Sequence, residues 1–445
     1  MNAHAGNGGT ALKIVIAGAT GFIGSRLRDA LRARGHRLVL ASRREPEALV
    51  TGETWAALDF SRSTDQGTLA AALVGADVVV NAVGIVRETP GQSFSTLHEA
   101  GPRALFAASS AAGVTRVVQI SALGADAAAT THFHLSKRAA DDFLLSLPLS
   151  AVVAQPSLVF GSGGSSTRLF TALATWPVLP LPGAGGQLLQ PIHVDDLVEA
   201  LVVLVERADP VGRVPLVGPR ALTLRQYVQT LRGSIGRSRA KIVPIPYSIV
   251  DLAAAVGDRI ALLPLDRERW SMLQRGNAAR AEPTAALLGR LPRPPEAFVA
   301  RESARETHAS AVLTWLLPVL RVAVAVVWIV TGLVSLGLFP VEESLKLLAR
   351  AGIPAAARSY ALYAAAILDI VLGMLSLMRR RPRWLWPAQI AVILGYSAII
   401  TVRLPEFWLH PYGPILKNLP MLGVLLLLAL LDSQPNGKEA RCRMK

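Results

Sequence analysis

The stretch KIVIAGATGFIGSRLRDALRARG, residues 13–35, decides how the chain begins to fold. Its first five residues suit a strand, and from Phe22 onward apolar positions recur at helical spacing. Between the two patterns stand Gly18, Gly21 and Gly24. Glycine is needed where a chain turns sharply out of a strand. It is also needed where backbone must approach a pyrophosphate, whose charge the N–H groups and dipole of the next helix stabilise. A glycine triplet held between a strand and a helix is a much stronger sign of a dinucleotide site than the triplet alone. The candidate turn comprises Gly18, Thr20, Gly21, Phe22, Ile23 and Gly24.

Outward from this turn the alternation continues. Apolar, β-rich runs at 36–42, 77–84, 116–121 and 150–161 are separated by segments of helical period. That order predicts an α/β fold of the Rossmann kind, a doubly wound parallel sheet with helices on both faces. From about residue 161 the pattern becomes irregular and rich in Pro and Gly, with helices expected over Leu197–Glu206 and Leu224–Leu231. A smaller, substrate-side lobe over the strand ends is therefore expected. Residues 275–308 are polar and charged, the remainder of that lobe followed by a linker. The soluble domain is assigned to 1–310 and a second domain to 311–445.

Composition points to lipid for the second domain. Apolar residues make up 51% of the 445, and the mean hydropathy of +0.40 exceeds that of an ordinary soluble protein. Four apolar runs, at about 313–338, 359–378, 384–403 and 414–431, each approach the roughly 20 residues that a bilayer-spanning helix needs. An all-α bundle of four transmembrane helices is expected. Loop charges give an independent check, because cytoplasmic loops are enriched in Lys and Arg. The loop after the second run holds Arg379, Arg380, Arg381 and Arg383, and the tail after the fourth holds Lys438, Arg441, Arg443 and Lys445. Both would lie on the side of the N-terminal domain. This predicts a multi-pass protein of the inner (cytoplasmic) membrane with both ends in the cytoplasm. Trp384 and Trp386 at one boundary, and Trp408 and Tyr412 at the other, suit interfacial anchors. Helices of a soluble core would have to reproduce this charge pattern by chance.

The chain opens without a basic region followed by an apolar stretch, so no cleaved signal peptide is expected. The net charge of +15 suits an anionic membrane surface. Zinc-ligand spacing, a basic helix and aromatic-basic interleaving are all missing from the sequence, so nucleic acid is not an expected partner. The single cysteine, Cys442, excludes a disulfide framework and a multi-cysteine metal site, and no metal is expected.

Cofactor type is read at the end of the second strand, where NAD-binding proteins place a carboxylate against the ribose hydroxyls. Here stand Ser42, Arg43 and Arg44. A carboxylate would repel a 2′-phosphate, whereas guanidinium groups pair with it bidentately, so NADP(H) is favoured over NAD(H). The alternative is that both arginines are solvated surface charges. The first 300 or so residues resemble the extended and atypical short-chain dehydrogenase/reductase families, the NAD-dependent epimerase/dehydratase-like proteins. They resemble in particular the branch that includes the NADPH-binding accessory subunit of respiratory complex I. The resemblance implies an adenine contact at Asp59 and Phe60, further cofactor contacts at Asn81, Ala82, Gly84, Ser121 and Lys137, and a segment passing the nicotinamide that includes Pro156 and Val159. It also matches Ile192 to Asp196 to a later family motif. There Asp195 and Asp196 equally suit a helix N-terminus, and His193 reads as structural.

In these families a Tyr-x-x-x-Lys pair does the acid/base work. This chain has Phe133-His-Leu-Ser-Lys137, so the lysine is present and the ionisable tyrosine is not. Leu123 falls near the expected family hydroxyl. His132 or His134 could donate the proton instead, since an unperturbed imidazole titrates near neutrality. The last 130 or so residues resemble the DoxX-like four-helix family, some members of which are linked to quinone chemistry; Trp328–Ser335, Asp369, Gly373 and Lys417–Pro420 carry that resemblance. Two charges fall well inside the apolar runs. By helical rise, Arg321 lies roughly 12 Å from one end of the first run and Asp369 roughly 15 Å from the far end of the second. Similar depths suggest an Arg321–Asp369 membrane pair, with a structural ion pair favoured over a proton or quinone site. Two functions stay open. One is a membrane-anchored oxidoreductase acting on a quinone or another lipid-soluble substrate. The other is a catalytically inactive NADP(H)-binding subunit or assembly factor of a respiratory or biosynthetic complex.

Overall fold

The computed structural model describes residues 11–62, 66–260, 265–378, 380–409 and 415–432. Arg379, Tyr412, Cys442 and the cationic tail at 438–445 lie outside the described residues. The chain divides into two compact units, residues 1–311 and 312–445.

The first unit is built on seven strands: β1 Lys13–Ala17, β2 Arg37–Ser42, β3 Glu53–Ala57, β4 Val78–Asn81, β5 Arg116–Ile120, β6 Ser150–Pro156 and β7 Gly212–Leu216. They lie in the order β3-β2-β1-β4-β5-β6-β7, with every neighbouring pair parallel. β7 carries Pro215, which an edge strand tolerates because one side of its backbone need not donate to a neighbour. Strand alternation sends successive side chains to opposite faces. Ile14, Ile16, Leu38 and Leu40 pack on one side with Leu27 and Leu31 of α1 (Phe22–Ala33). Val15, Ala17, Val39 and Ala41 pack on the other with α2 (Gln66–Leu73), α3 (Gly101–Ala111) and α4 (His132–Leu145). Each such fully buried aliphatic side chain contributes about 1.5–3 kcal/mol, so the two-sided core is the main source of stability. Because strand order reverses between β1 and β4, a crevice opens at their carboxyl ends.

A smaller lobe follows, with α5 (Ser165–Thr175), α6 (Val194–Glu206), α7 (Leu224–Ser234), α8 (Tyr247–Arg259), α9 (Arg267–Arg275) and α10 (Glu282–Leu288). Of these, α6 returns to cover the sheet beside α1. A separate cluster around the fully buried Tyr227 forms the lobe's own core. The strand Val178–Pro182 pairs in parallel with Lys241–Ile245 along its edge.

The second unit holds α11 (Ala304–Leu333, with a π-helical turn to Leu338), α12 (Val341–Arg350), α13 (Ala355–Leu377), α14 (Leu385–Arg403) and α15 (Asn418–Asp432). Three helices, spanning 301–338, 355–377 and 385–403, are long and apolar enough to cross a membrane. The fourth run is apolar too, but its helix has 15 described residues, about 22 Å of rise against a hydrocarbon core of about 30 Å. Pro420 explains the late start, since proline is tolerated in a helix's first turn and not in its interior. The segment between the first and second apolar runs is not plain loop but holds the helix α12, with Glu342 and Glu343 in its first turn and Arg350 in its last. Glycines let α11 and α13 meet backbone to backbone. A Cβ on Gly332 would stand 2.7 Å from the Ala366 carbonyl oxygen, and one on Gly373 would stand 3.0 Å from that of Ala325.

The expected Arg321–Asp369 pair is not formed. Arg321 donates instead to Asp432 at the end of α15, and Asp432 also accepts from the Trp386 indole at 3.1 Å and lies 3.7 Å from Arg381. Counting rise along a helix fixes depth but not the direction in which a side chain leaves, and the long arginine reaches toward the helix ends. Asp369 is buried in the bundle with no ion pair among the described residues. Asp432→Ala should therefore lower stability by about 2 kcal/mol, between the values for exposed and buried pairs, whereas Asp369→Asn should leave it near wild type. Thermal unfolding of the detergent-solubilised chain checks both.

Candidate functional site

The glycine turn closes the end of β1. The Gly18 N–H donates to the Ala41 carbonyl at 2.9 Å and the Gly21 N–H to the Gly18 carbonyl at 2.9 Å. Gly18 has φ +81°, which other residues adopt only with strain. A Cβ on Gly24 would lie 2.2 Å from the Gly18 carbonyl oxygen, and one on Gly18 would lie 3.0 Å from the Ala82 carbonyl group. Only glycine lets α1 and the end of β4 come so close to this turn. The N-cap of α1 is Gly21, with no side-chain cap and no acidic residue in the first turn. Phe22, Ile23 and Gly24 thus begin a helix whose end carries partial positive charge and suits an anion. Thr20 is exposed beside them.

The other expected contacts line the same carboxyl edge, because every strand is parallel. At the end of β2, Ser42 is buried; its hydroxyl donates to the Arg44 carbonyl at 2.7 Å and accepts from the Trp55 indole at 3.3 Å. Arg43 and Arg44 are exposed. Past β3, partial burial tends to raise the Asp59 carboxyl. Hydrogen bonds from the hydroxyl and N–H of Ser61, with Arg43 and Arg62 nearby, outweigh it and hold the group below the usual carboxylate range. Phe60 packs on Gly101, where a Cβ would stand 2.4 Å from its ring. Asn81, fully buried, donates to Gln119 at 2.7 Å and accepts from the Val83 N–H at 3.1 Å, so its amide shapes the strand end. Ala82 and Gly84 lie just beyond it. The Pro156 carbonyl accepts from the Leu123 N–H, and Val159 opens a short strand paired with Ile192–His193. His193 caps α6 through Nδ1, while Asp196 holds Arg290 at 2.8 Å and the Arg293 N–H at 2.6 Å, both structural tasks. The loop at 161–164 closes onto α1, where a Cβ on Gly164 would come 3.1 Å from the Phe22 ring.

Thr131 caps α4 and sets the direction of its side chains. Lys137 Nζ donates to the carbonyls of Val83 and Ile120, both at 3.2 Å, and a Cβ on Gly84 would lie 3.1 Å from it. Burial lowers its pKa to about 8, with Asp141 acting against that shift. Asp141, one turn further along the same face, accepts from the Ser121 hydroxyl; burial raises its pKa to about 6. Phe133 is buried against Phe94, His98 and His134 at ring distances of 5.8, 5.4 and 5.3 Å. His134 is buried too, with Nδ1 3.0 Å from the Thr131 hydroxyl, and burial and Arg275 together lower its pKa to about 4. At neutral pH the ring is uncharged, so burial works against its use as an ordinary imidazole acid. His132 stands at the start of the helix, its N–H bonded to Glu268 at 3.1 Å.

His98, Ser136 and Asp141 were missed from the sequence. Nε2 of His98 accepts from the Ile85 N–H at 3.0 Å, so its Nδ1 carries the hydrogen shared with Ser136 at 3.2 Å; burial, then Lys137, lower its pKa to about 2. Asp141 was detectable, four residues after Lys137 on one helix. His98 was not, since it sits in a π-helical turn, Ser95–Ala100, remote from every motif. Beside Phe133, a cleft of about 360 Å³ is lined by Glu88, Phe94, Ser95, Glu99, His132, Leu135 and Ser136.

Comparison with known proteins follows this division. Residues 14–218 match the NAD dependent epimerase/dehydratase family and residues 325–426 the DoxX-like family. A ceramide reductase of Caulobacter vibrioides is 31% identical over 210 residues, covering 46% of this chain and 62% of that protein, under two thirds of its length. The mitochondrial NADH dehydrogenase [ubiquinone] 1 alpha subcomplex subunit 9 of Arabidopsis thaliana is 26% identical over 269 residues, 58% of this chain and 67% of that one. Among solved structures, a nucleoside-diphosphate-sugar epimerase from Staphylococcus aureus superposes with a TM-score of 0.54 at 17% identity, covering 65% of this chain and 99% of that one, a likeness of fold. The chain thus joins a domain similar to the NAD dependent epimerase/dehydratase family, of the NAD(P)-binding fold, to one similar to the DoxX-like family.

Proposed function

We propose that the chain is a membrane-anchored, NADP(H)-binding oxidoreductase that reduces a lipid-soluble acceptor of quinone type from the cytoplasmic face of the inner membrane. The observation that carries this reading is Phe133 at the place of the family tyrosine, beside imidazoles that burial holds neutral. A bound reduced nicotinamide supplies a hydride. An ordinary ketone or aldehyde that accepts it becomes an alkoxide about as basic as hydroxide, whose parent water has a pKa of about 15.7, so a general acid is needed. A quinone becomes a phenolate-like anion of pKa about 10, which water can protonate. A site without an acid at position 133 therefore suits the quinone and not the carbonyl. Relatives named a ceramide reductase and an NADH dehydrogenase [ubiquinone] subunit support a lipid-borne acceptor and a respiratory setting.

In this reading the Gly18–Gly24 turn and the free start of α1 hold the pyrophosphate, and Arg43 and Arg44 hold the 2′-phosphate. Asp59 and Phe60 border the adenine, Asn81 to Gly84 and Ser121 line the crevice, and Pro156 and Val159 flank the nicotinamide. Lys137 presents its ammonium to the ribose. The cationic loop residues Arg380, Arg381 and Arg383 support a cytoplasmic placement of that loop and hence of the N-terminal domain. The same Phe133 favours a second reading, an NADP(H)-binding subunit that holds its cofactor without turnover.

Purification in detergent, assay for bound pyridine nucleotide and addition of acceptors separate the two. We expect NADPH to copurify and to be oxidised by a short-chain quinone but not by a long-chain aldehyde or ketone. NADPH retained yet untouched by any quinone or membrane extract would establish the second reading, and a chain that keeps no nucleotide sinks both. Charge-assisted hydrogen bonds contribute about 1.5–3 kcal/mol, so the Arg43→Ala, Arg44→Ala double variant should weaken NADPH about 10- to 100-fold and change NADH little, measured by titration. Quinone reduction should be flat from about pH 6.5 to 7.5. It should fall as pH rises through about 8, where the Lys137 ammonium loses its proton. Lys137→Met should abolish that fall and weaken cofactor binding.

A further inference from the structure

α8 carries two apolar faces where one would suffice. Val250, Ala254 and Gly257 face inward and pack with Trp270, and a Cβ on Gly257 would come 1.8 Å from the Leu265 carbonyl oxygen. A second row, Ile249, Leu252, Val256 and Ile260, is 55, 67, 40 and 47% exposed. At about 100° per residue Ile249, Leu252 and Val256 fall within roughly 60° of one another, a continuous stripe along the helix, with Ile260 following at its C-cap. Scattered exposed apolar residues need no explanation, whereas a row of them along one helix does.

The charges around the stripe are not balanced. The two carboxylates of α8 turn toward α9, where Asp251 accepts from the Trp270 indole at 2.6 Å and Asp258 pairs with Arg267 at 3.5 Å. Arg259 on the helix, and Arg237, Arg239 and Lys241 on the approach to it, are exposed and have no ion-pair partner among the described residues. An apolar stripe with one unpaired cation on its own helix and three more on the segment leading to it fits a helix lying in a lipid interface, with its apolar side among the acyl chains and cations toward anionic headgroups. The same chain carries three helices long and apolar enough to cross a membrane.

We propose that α8 rests on the anionic surface of the membrane that its own chain crosses and sinks the Ile249–Leu252–Val256–Ile260 stripe into it. The lobe over the strand ends is then held against lipid, and the protein grips the bilayer at a second place besides its spanning helices.

The test uses the full chain in a Cys442→Ser background, labelled with an environment-sensitive fluorophore at Leu252→Cys and reconstituted one chain per nanodisc in phosphatidylglycerol-containing lipid. A label at Val74→Cys serves as control. Val74 is 67% exposed and apolar, and lies at the opposite, amino-terminal edge of the sheet, its carbonyl bonded to Lys13 of β1. A nitroxide on the acyl chains should remove most of the emission at 252 and little at 74, while aqueous iodide should reach 74 and not 252. Replacing the anionic lipid with a zwitterionic one should lessen the nitroxide effect. Equal iodide access at the two positions overturns the proposal. So does a label at 252 that iodide cannot reach and the nitroxide does not quench, since the stripe would then be covered by protein, in another copy or in the same chain. Leu252 is solvent-exposed, so its replacement leaves the core intact, and the readout is independent of any enzymatic activity.

Discussion

The first unit depends on one close approach of backbone to backbone. Gly24 of α1 stands where a side chain would strike the Gly18 carbonyl, and Gly18 in turn stands against the end of β4. This contact fixes the angle at which α1 leaves β1, brings the helix start to the mouth of the crevice and sets Asn81 to Gly84 beside it. A methyl group on Gly24 would strike the turn itself at the Gly18 carbonyl, and one on Gly18 would press on the Ala82 backbone at the end of the fourth strand, where the sheet reverses direction. The remaining site residues take their places from that geometry, since they hang from the carboxyl ends of strands whose register the same core enforces.

Water exclusion governs the chemistry around α4. Phe133 packs on two imidazoles, and burial holds both neutral, with the ammonium of Lys137 adding to the effect at His98 and the guanidinium of Arg275 at His134. Asp141 compensates partly for that ammonium and takes the Ser121 hydroxyl away from the crevice. The result is a buried ammonium beside two imidazoles that burial keeps uncharged. Substituting phenylalanine for an ionisable ring therefore changes more than one atom, because its apolar face also keeps its neighbours neutral.

Legibility from sequence followed the range of the physics involved. The turn at Gly18–Gly24 was readable because its causes are local, and the parallel sheet because alternation of strand and helix leaves few other arrangements. Asp59, Asn81 and Pro156 could be placed only by resemblance, since a single polar residue or proline has no periodicity to betray it. Long-range choices were hidden. Arg321 and Asp369 share a depth, but which carboxylate an arginine meets depends on the azimuths of several helices, and Asp432 lies 111 residues away. His98 gains its partners through a fold-dependent meeting of three segments. The helix α12 was hidden by its length and mixed charge, and the outward stripe of α8 was hidden because sequence does not say which apolar face is covered.

The clasp at Asp432 also orders events in time. Arg321 enters the nascent chain with the first spanning helix and Arg381 follows the second, yet the carboxylate that receives both comes last, at the end of α15. Until translation reaches it, two cations wait inside or beside an apolar bundle without their counterion. The earlier helices can form one by one, but the ends that carry Arg321 and Arg381 can be drawn together through this carboxylate only after synthesis has gone past residue 432, which makes closure of the bundle a late step.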